Sequence, residues 1–265
     1  MKPARGYRKA VLILSIVVAL QWVFIFFLVG RPKKIVTQAP RKPVQEFRGT
    51  IAIVLDDWGY NVHNLPVLEQ IHVPLTLSIL PNLPYSGKVA LEAEKRGFEV
   101  ILHLPMEPYE KFRLEQGTIL TSMDAQHIRA IVKRDLDAIH YAKGASNHMG
   151  SKATGDLRVM GIVFEELKKR NLYFLDSLVS PKTVSDAAAQ RAGVRFVRRD
   201  VFLDNKEDPM YIRGQAYKLK AKASLYGQAV GIGHDRSVTL KTLKEIIPEL
   251  EKEGYRFVFV SQLVH

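Results

Sequence analysis

The sequence has 265 residues, 47% hydrophobic and 25% charged, a globular composition that excludes a wholly disordered chain. It has no cysteine, which excludes disulfides, thiolate metal sites and a cysteine nucleophile, so any metal must be bound by histidines and carboxylates. Of the net charge of +12, residues 1–48 carry +9 and the rest of the chain only +3. A nucleic-acid-binding face needs clustered basic residues on the folded domain, so we expect no nucleic-acid partner.

The first predicted element is an apolar segment near the amino terminus. Residues 1–9 are basic, and residues 10–30 follow without a charged side chain. A helix of about 20 residues spans a bilayer's hydrocarbon core, and the preceding Lys and Arg favour a cytoplasmic amino terminus. We therefore predict an uncleaved transmembrane signal anchor. A cleaved signal peptide is the alternative. Residues 31–48, with prolines among basic residues, predict an extended linker.

Between residues 49 and 265, short apolar segments alternate with longer helical patterns. The predicted strands are residues 50–55, 75–80, 98–102, 145–147, 172–175, 194–197, 229–232 and 256–260, and the predicted helices are residues 62–71, 84–96, 124–142, 156–170, 183–192, 208–226 and 238–253. Such alternation indicates a parallel sheet covered on both sides. Seven or eight β/α units favour a single α/β barrel domain. A doubly wound open sheet is the alternative fold.

Acidic residues and histidines follow the predicted strands, where a barrel gathers the residues of an active site. They are Asp56, Asp57, His103, His148, Asp176, Asp200, Asp204 and His234. In a β/α barrel all carboxyl ends of the strands open onto one face. The opposite strand ends carry mostly turn residues instead. The distribution predicts a polar site at the carboxyl face.

One aspartate and two histidines from this set would form a metal site with nitrogen and oxygen ligands. Such a site suits Zn²⁺, Fe²⁺, Co²⁺ or Mn²⁺ and leaves positions open for water and substrate. Neighbouring side chains of a strand point to different sides, so one of Asp56 and Asp57 could bind the metal while the other accepts a proton. The alternatives are a loop-capping aspartate pair and structural histidines.

Six segments, in chain order, resemble the divergent polysaccharide deacetylase family, a distant branch of the chitin and peptidoglycan deacetylase superfamily. They are Ile53–Tyr60, His103–Pro108, Asn147–Ser151, Phe174–Ser177, Arg199–Asp204 and Gly233–His234. The resemblance implies a distorted (β/α)7–8 barrel, preceded by the transmembrane helix and lying outside the cytoplasm. It also implies metal-dependent removal of acetyl groups from an envelope polysaccharide such as peptidoglycan. Zinc is the expected metal, with iron, cobalt and manganese as alternatives.

The same resemblance assigns roles to individual residues. Asp57 corresponds to a metal ligand and Asp56 to the general base, and His103 matches the first histidine of the metal motif. The superfamily has its second motif histidine about four residues later, where this chain has Glu107. We therefore take His148 as the remaining ligand, an assignment that rests on barrel geometry and not on the motif.

His234 resembles the histidine that acts as the catalytic acid. Further residues that we expect to contact the substrate or support the ligands are Glu107, Asn147, Asp176, Asp200 and Asp204. Two other functions remain open. One is an anchored barrel that binds a glycan or an envelope partner without turnover. The other is a glycosidase that pairs Asp56 with Asp176 or Asp200.

Overall fold

The computed structural model describes residues 5–30 and 46–265. Most of the predicted linker and the first four residues of the basic segment therefore lie outside the described residues. The chain divides into two compact units, Met1–Val44 and Gln45–His265.

The described part of the first unit is a single helix, α1 (Arg5–Val29). The helix segment Gly6–Val29 is long and apolar enough, by length and composition, to cross a membrane. Its large apolar side chains are exposed, among them Leu14, Phe26 and Val29. A helix in the core of a globular protein would have these side chains buried.

The second unit alternates strands and helices along its whole length. The strands are β1 (Gly49–Trp58), β2 (Thr76–Ile79), β3 (Glu99–Met106), β4 (Gly144–Met149), β5 (Tyr173–Asp176), β6 (Phe196–Arg198), β7 (Val201–Phe202), β8 (Gln228–His234) and β9 (Tyr255–Val258). The helices are α2 (Leu65–Leu68), α3 (Ser86–Lys95), α4 (Ala125–Ala138), α5 (Leu157–Lys169), α6 (Ser185–Ala192), α7 (Pro209–Tyr226) and α8 (Ser237–Lys252).

All strands of the sheet pair in parallel, in the order β6-β5-β4-β3-β2-β1-β8-β7, with β9 on the first residues of β1. The two end strands, β6 and β7, follow each other in the chain, and among residues 46–265 no strand pairing joins them. The predicted distorted α/β barrel is confirmed. Its sheet curves, but its end strands β6 and β7 do not pair with each other within residues 46–265. The doubly wound alternative is wrong.

The strands separate two hydrophobic cores. Ile51, Ile53 and Leu55 of β1 pack with helix residues in the larger, outer core. Ala52 and Val54, which alternate with them, pack in an inner core formed by strand residues and the carboxy-terminal segment. This alternation is the period of two that a strand imposes on its side chains, and it explains why both sets had to be apolar.

The carboxy-terminal segment closes the amino end of the barrel. Val260 and Leu263 are buried in the inner core. The Val260 amide donates to Thr76 Oγ1 (3.2 Å), and the Ser261 amide donates to Glu99 Oε1 (3.2 Å). Thr76 and Glu99 are the first residues of β2 and β3. The amino end is thus filled by the protein itself, and the mouth lies at the carboxyl ends of the strands.

Candidate active site

β1 ends in an irregularity that brings two adjacent carboxylates toward the same histidine. β1 pairs regularly with β8 up to Asp56, but its register with β2 shifts between Leu55 and Trp58. Asp57 has φ = +65°, a left-handed conformation that is rare for residues other than glycine. In a regular strand, neighbouring carboxylates would point to opposite faces. Here both lie near Nε2 of His103, with Asp56 Oδ2 at 3.6 Å and Asp57 Oδ1 at 3.3 Å.

Asp57, His103 and His148 form one compact group at the ends of three different strands. Asp57 Oδ1 lies 3.3 Å from His103 Nε2 and 3.0 Å from His148 Nδ1. One possible ligand atom from each residue lies within 4.8 Å of the others. The two imidazole rings meet edge to face, with centroids 4.9 Å apart. The structure therefore brings together the three predicted ligands.

This group fits a divalent cation. Asp57 Oδ1 and His148 Nε2 are buried and have no hydrogen-bond partner among residues 5–30 and 46–265, although an unpaired buried polar atom costs about 1–3 kcal/mol. Burial alone would raise the pKa of Asp57, but contacts with His103 and His148 outweigh it and hold that pKa well below its ordinary value. The carboxylate is thus ionised, as a metal ligand must be. One carboxylate and two imidazoles suit zinc and the borderline first-row metals.

Asp56 lies beside this group and is almost completely buried, at 2% exposure. Burial raises the pKa of Asp56 and outweighs the opposite effect of His103 and His234. Its Oδ1 atom has no hydrogen-bond partner in the part of the chain that the structure describes. A carboxylate with a raised pKa is a better proton acceptor near neutral pH than an ordinary aspartate.

His234, the register partner of Asp56 on β8, is held by a buried carboxylate. Asp204 Oδ1 lies 2.7 Å from His234 Nδ1, and Asp204 Oδ2 accepts hydrogen bonds from the His234 amide (2.8 Å) and from Thr239 Oγ1 (2.7 Å). Burial alone would lower the pKa of His234, but the hydrogen bond and the charge of Asp204 outweigh it and leave this pKa raised. The pair therefore favours a protonated imidazole that can donate a proton.

Two buried serines next to His103 were not predicted. His103 Nδ1 lies 2.8 Å from Ser146 Oγ, and Ser146 Oγ lies 2.7 Å from Ser78 Oγ. Both serines are fully buried. The only sequence signal was a hydroxyl residue within a buried strand, which must find a hydrogen-bond partner. That signal does not say which partner.

Arg199 and Phe202 were also not assigned to the site. The Arg199 guanidinium lies 3.6 Å above the Phe202 ring and donates to the carbonyl oxygens of Ser177 and Leu178. The Phe202 ring is stacked with the His234 ring, with centroids 6.0 Å apart. These residues fix the loops after β5 and β6 beside His234.

Glu107 and Asn147 support the mouth without joining the three ligands. Glu107 accepts hydrogen bonds from the Thr121 amide and hydroxyl (2.6 and 2.7 Å) and from Lys152 Nζ (2.7 Å). The Asn147 side chain donates to the Met149 carbonyl (2.7 Å) and accepts from the Ser177 amide (2.9 Å). Both residues connect neighbouring loops.

Asp176 and Asp200 also bond within the barrel frame. Asp176 accepts from the Leu178 amide (2.7 Å) and from Thr183 Oγ1 (2.7 Å). Asp200 accepts from the Val230 amide (2.9 Å) and has Lys222 Nζ at 3.7 Å. These hydrogen bonds favour structural roles, and they weaken the glycosidase hypothesis, which needs one of them as a partner for Asp56.

The fold and the residues at its mouth define a polysaccharide deacetylase-like α/β barrel. The chain belongs to the divergent polysaccharide deacetylase family, whose family model matches residues 53–264. The resemblance seen in the six sequence segments is thus confirmed.

The chain is also similar to individual proteins. The uncharacterized protein YibQ of Escherichia coli K12 is 36% identical over 202 residues, which are 76% of this chain and 63% of that protein. An uncharacterized protein from Agrobacterium tumefaciens C58 has a crystal structure with a TM-score of 0.79 at 22% identity, covering 84% of this chain and 92% of that one. A family 4 carbohydrate esterase from Streptomyces lividans in complex with acetate has a TM-score of 0.53 at 15% identity, covering 82% and 96%. The two structural likenesses show a shared fold.

Proposed function

We propose that this protein is a metal-dependent hydrolase that removes acetyl groups from the sugars of an envelope polysaccharide. One observation carries the proposal: Asp57, His103 and His148 converge beside a buried carboxylate, Asp56, and a carboxylate-bound histidine, His234. Membership of the divergent polysaccharide deacetylase family supports it. The fold shared with a carbohydrate esterase that holds acetate is compatible with it.

Asp57, His103 and His148 would hold the cation, with zinc expected first and iron, cobalt or manganese as alternatives. A bound divalent ion supplies Lewis-acid polarisation of the acetyl carbonyl and lowers the pKa of a water molecule. The protein's own contribution is to keep the Asp57 carboxylate ionised and to keep the two imidazoles within reach of it.

The proton transfers of the hydrolysis fall to the two remaining residues. Asp56 accepts a proton from water as the water oxygen bonds to the acetyl carbon. His234, protonated and held by Asp204, donates a proton to the sugar nitrogen or oxygen as its bond to that carbon breaks. The products are acetate and the free amine or hydroxyl of the sugar. Each transfer of this kind typically contributes about 10²–10⁴ in rate.

The location proposed for this reaction is outside the cytoplasm, at the membrane. The helix segment Gly6–Val29 can cross a membrane by length and composition, and the sequence before it is basic. We propose that it is an uncleaved signal anchor whose following domain meets a peptidoglycan-type glycan. A molecular mass that includes residues 1–30, measured on protein extracted from membranes, distinguishes an anchor from a cleaved signal.

The test is acetate release by the full chain, purified in detergent and loaded with Zn²⁺, from acetylated chitin oligomers and from peptidoglycan. We expect the Zn²⁺-loaded wild type to release acetate. Asp57→Asn should neither bind the metal nor release acetate. Asp56→Asn should keep the metal and lose about 10²–10⁴ in rate. Asp208→Asn, at the cap of α7, is the matched control.

The alternatives make different predictions. Glycan binding that persists in chelator, without acetate release from either substrate, supports the non-catalytic barrel and contradicts the hydrolase. Release of reducing ends without metal supports the glycosidase.

A further inference from the structure

A chain of buried hydroxyl groups lies directly behind the candidate metal ligands. Ser146 faces His103 across the β3–β4 ladder, where the two residues are register partners. Its Oγ atom is 2.8 Å from His103 Nδ1 and 2.7 Å from Ser78 Oγ on β2. Both serines are 0% exposed and His103 is 2% exposed. These contacts are therefore shielded from bulk water.

The row thus has three groups, the imidazole of His103 and the hydroxyl groups of Ser146 and Ser78. Each hydroxyl can both donate and accept a hydrogen bond, so the state of the imidazole decides the direction of the row.

The direction follows from the number of hydrogens available. The free Nε2 atom of His103 lies 3.3 Å from Asp57 Oδ1, within the candidate metal group. An imidazole nitrogen that binds a cation needs its lone pair, so the proton of the neutral ring must be on the other nitrogen. Nδ1–H then donates to Ser146, and Ser146 donates to Ser78.

We infer that Ser146 and Ser78 are positioning residues that hold His103 in the tautomer that offers Nε2 to a metal ion. The inference rests on the proposed function, because it concerns the same metal site. Ser146 contacts His103 directly, and Ser78 acts through Ser146. Neither serine touches the candidate cation position in the proposed arrangement.

Packing alone gives no reason for these hydroxyls. All four residues of β2 are buried, and an apolar side chain there would avoid the cost of burying a hydroxyl. The cost is offset only because each hydroxyl has a partner in the row. Partners that fix the outer nitrogen of a ligating histidine typically account for about 10–100-fold in metal affinity.

The test is the Zn²⁺ affinity of the full chain in detergent, measured by competition with a chromophoric chelator. Ser146→Ala should weaken the affinity by about 10–100-fold. Ser78→Ala should have a smaller effect, because Ser146 remains beside His103, and Ser146→Thr, which keeps the hydroxyl, should recover most of the loss. Ser185→Ala is the matched control: this serine is equally buried, but its hydroxyl bonds Thr183.

A second readout does not depend on affinity or on folding of the variants. In the Zn²⁺-loaded wild type, labelled with ¹⁵N-histidine, His103 should show Nε2 bound to metal and a slowly exchanging Nδ1–H proton. A ring bound through Nδ1 overturns the inference. In the first experiment, a Ser146→Ala variant that folds and keeps wild-type Zn²⁺ affinity also overturns the inference.

The two proposals fail in different ways. A wild type that binds Zn²⁺ and depends on Ser146, but releases no acetate, overturns the hydrolase and supports the role of the serines. A wild type that takes up no metal overturns both.

Discussion

Asp57 combines a candidate ligand carboxylate with a backbone conformation that L-residues avoid. Its φ of +65° costs an ordinary residue about 1–2 kcal/mol, whereas Asn and Asp adopt it more readily. A strained residue at a functional position persists only where the surrounding structure enforces it. The ligand role and the backbone role of Asp57 can therefore be separated by choosing the substitution.

We predict that Asp57→Asn and Asp57→Ala both lose metal binding but differ in stability. Neither has an ionised carboxylate, and only Asn suits the left-handed backbone. The Ala variant should unfold at a melting temperature about 2–4 °C below that of the Asn variant, which corresponds to roughly 1 kcal/mol in a domain of this size. Thermal unfolding in chelator measures the difference. Equal melting temperatures would show that the conformation at residue 57 relaxes freely.

The Asp204–His234 pair predicts how stability changes with pH. The pKa of Asp204 is lowered from 3.8, so its stabilising contribution is present above pH 3.8 and is lost as pH falls through the lowered value. The pKa of His234 is raised from 6.5, so its contribution is complete below pH 6.5 and is lost as pH rises through the raised value. The pair therefore stabilises most between pH 3.8 and 6.5.

We expect the loss of unfolding free energy in Asp204→Asn to be largest in that window and to shrink at higher pH. Asn keeps the shape of the side chain but removes the charge that holds His234 protonated. Urea unfolding of wild type and variant across pH 4–9 measures the difference. In the control Asp208→Asn, the loss should not shrink as pH rises above 6.5, because the Asp208 carboxylate caps α7 by accepting from the Tyr211 amide, which does not titrate. A loss that is independent of pH would mean that the pair does not titrate as a unit.

At the scale of single residues, the sequence predicted the charged residues of the candidate site better than its hydroxyl groups. The acids and histidines followed strand ends, and parallel strands place those ends on one face. Ser78 and Ser146 lie within strands, and their contact with His103 depends on the register of β2, β3 and β4. Register between distant segments is not visible in one sequence, so these two residues could not be found beforehand.

At the scale of helices and strands, apolar segments of the sequence indicated most strands. Two details became visible only in the structure. Residues 62–71 were predicted as a helix, yet only Leu65–Leu68 is helical. The chain there turns through i→i+3 hydrogen bonds, from Gln70 to Val67 and from Ile71 to Leu68. The same apolar residues are buried without a continuous helix. β7 has only two residues, too few for the side-chain alternation of a strand to be recognised in the sequence.

The segment between β3 and α4, residues 107–124, forms one wall of the mouth. A bridge between Met106 and Ile119 and the Glu107–Lys152 ion pair fix its ends. Tyr60 hydroxyl donates to Glu115 from the loop after β1. Tyr109 and Phe112 are nonetheless 60% exposed. Exposed aromatic rings on a well-fixed segment are suited to bind a partner surface.

We predict that Phe112→Ala weakens binding of chitin oligomers by about fivefold, or roughly 1 kcal/mol, without changing metal content. The loss should grow with oligomer length, because the ring lies on the wall and not in the metal group. Calorimetric titration with oligomers of increasing length measures it. Tyr226→Ala is the control, since Tyr226 is similarly exposed (66%) but lies at the end of α7 that leads into the amino end of β8. An equal loss in both variants would contradict a wall-specific contact.

For the whole domain, the barrel separates its two ends by role. The amino end is filled by residues of the inner core and by the buried Glu99, which accepts from Thr76 and Tyr173. The carboxyl end has the strained strand ends and the buried atoms Asp57 Oδ1 and His148 Nε2, which are unpaired within the described residues. The residues that fill the barrel and the candidate site residues thus lie at opposite ends of the same strands, as is usual for α/β barrels.

This separation predicts that a defect at the amino end lowers stability and leaves the metal site intact. Leu263 is 6% exposed, and Leu263→Ala should cost about 2–5 kcal/mol and lower the melting temperature by roughly 4–20 °C. The Zn²⁺ affinity of the folded variant should equal that of the wild type. Leu225→Ala, at a site that is 72% exposed, should change stability by less than about 0.5 kcal/mol. A parallel fall in affinity and stability in Leu263→Ala would show instead that packing at the amino end is coupled to ligand geometry through the strands.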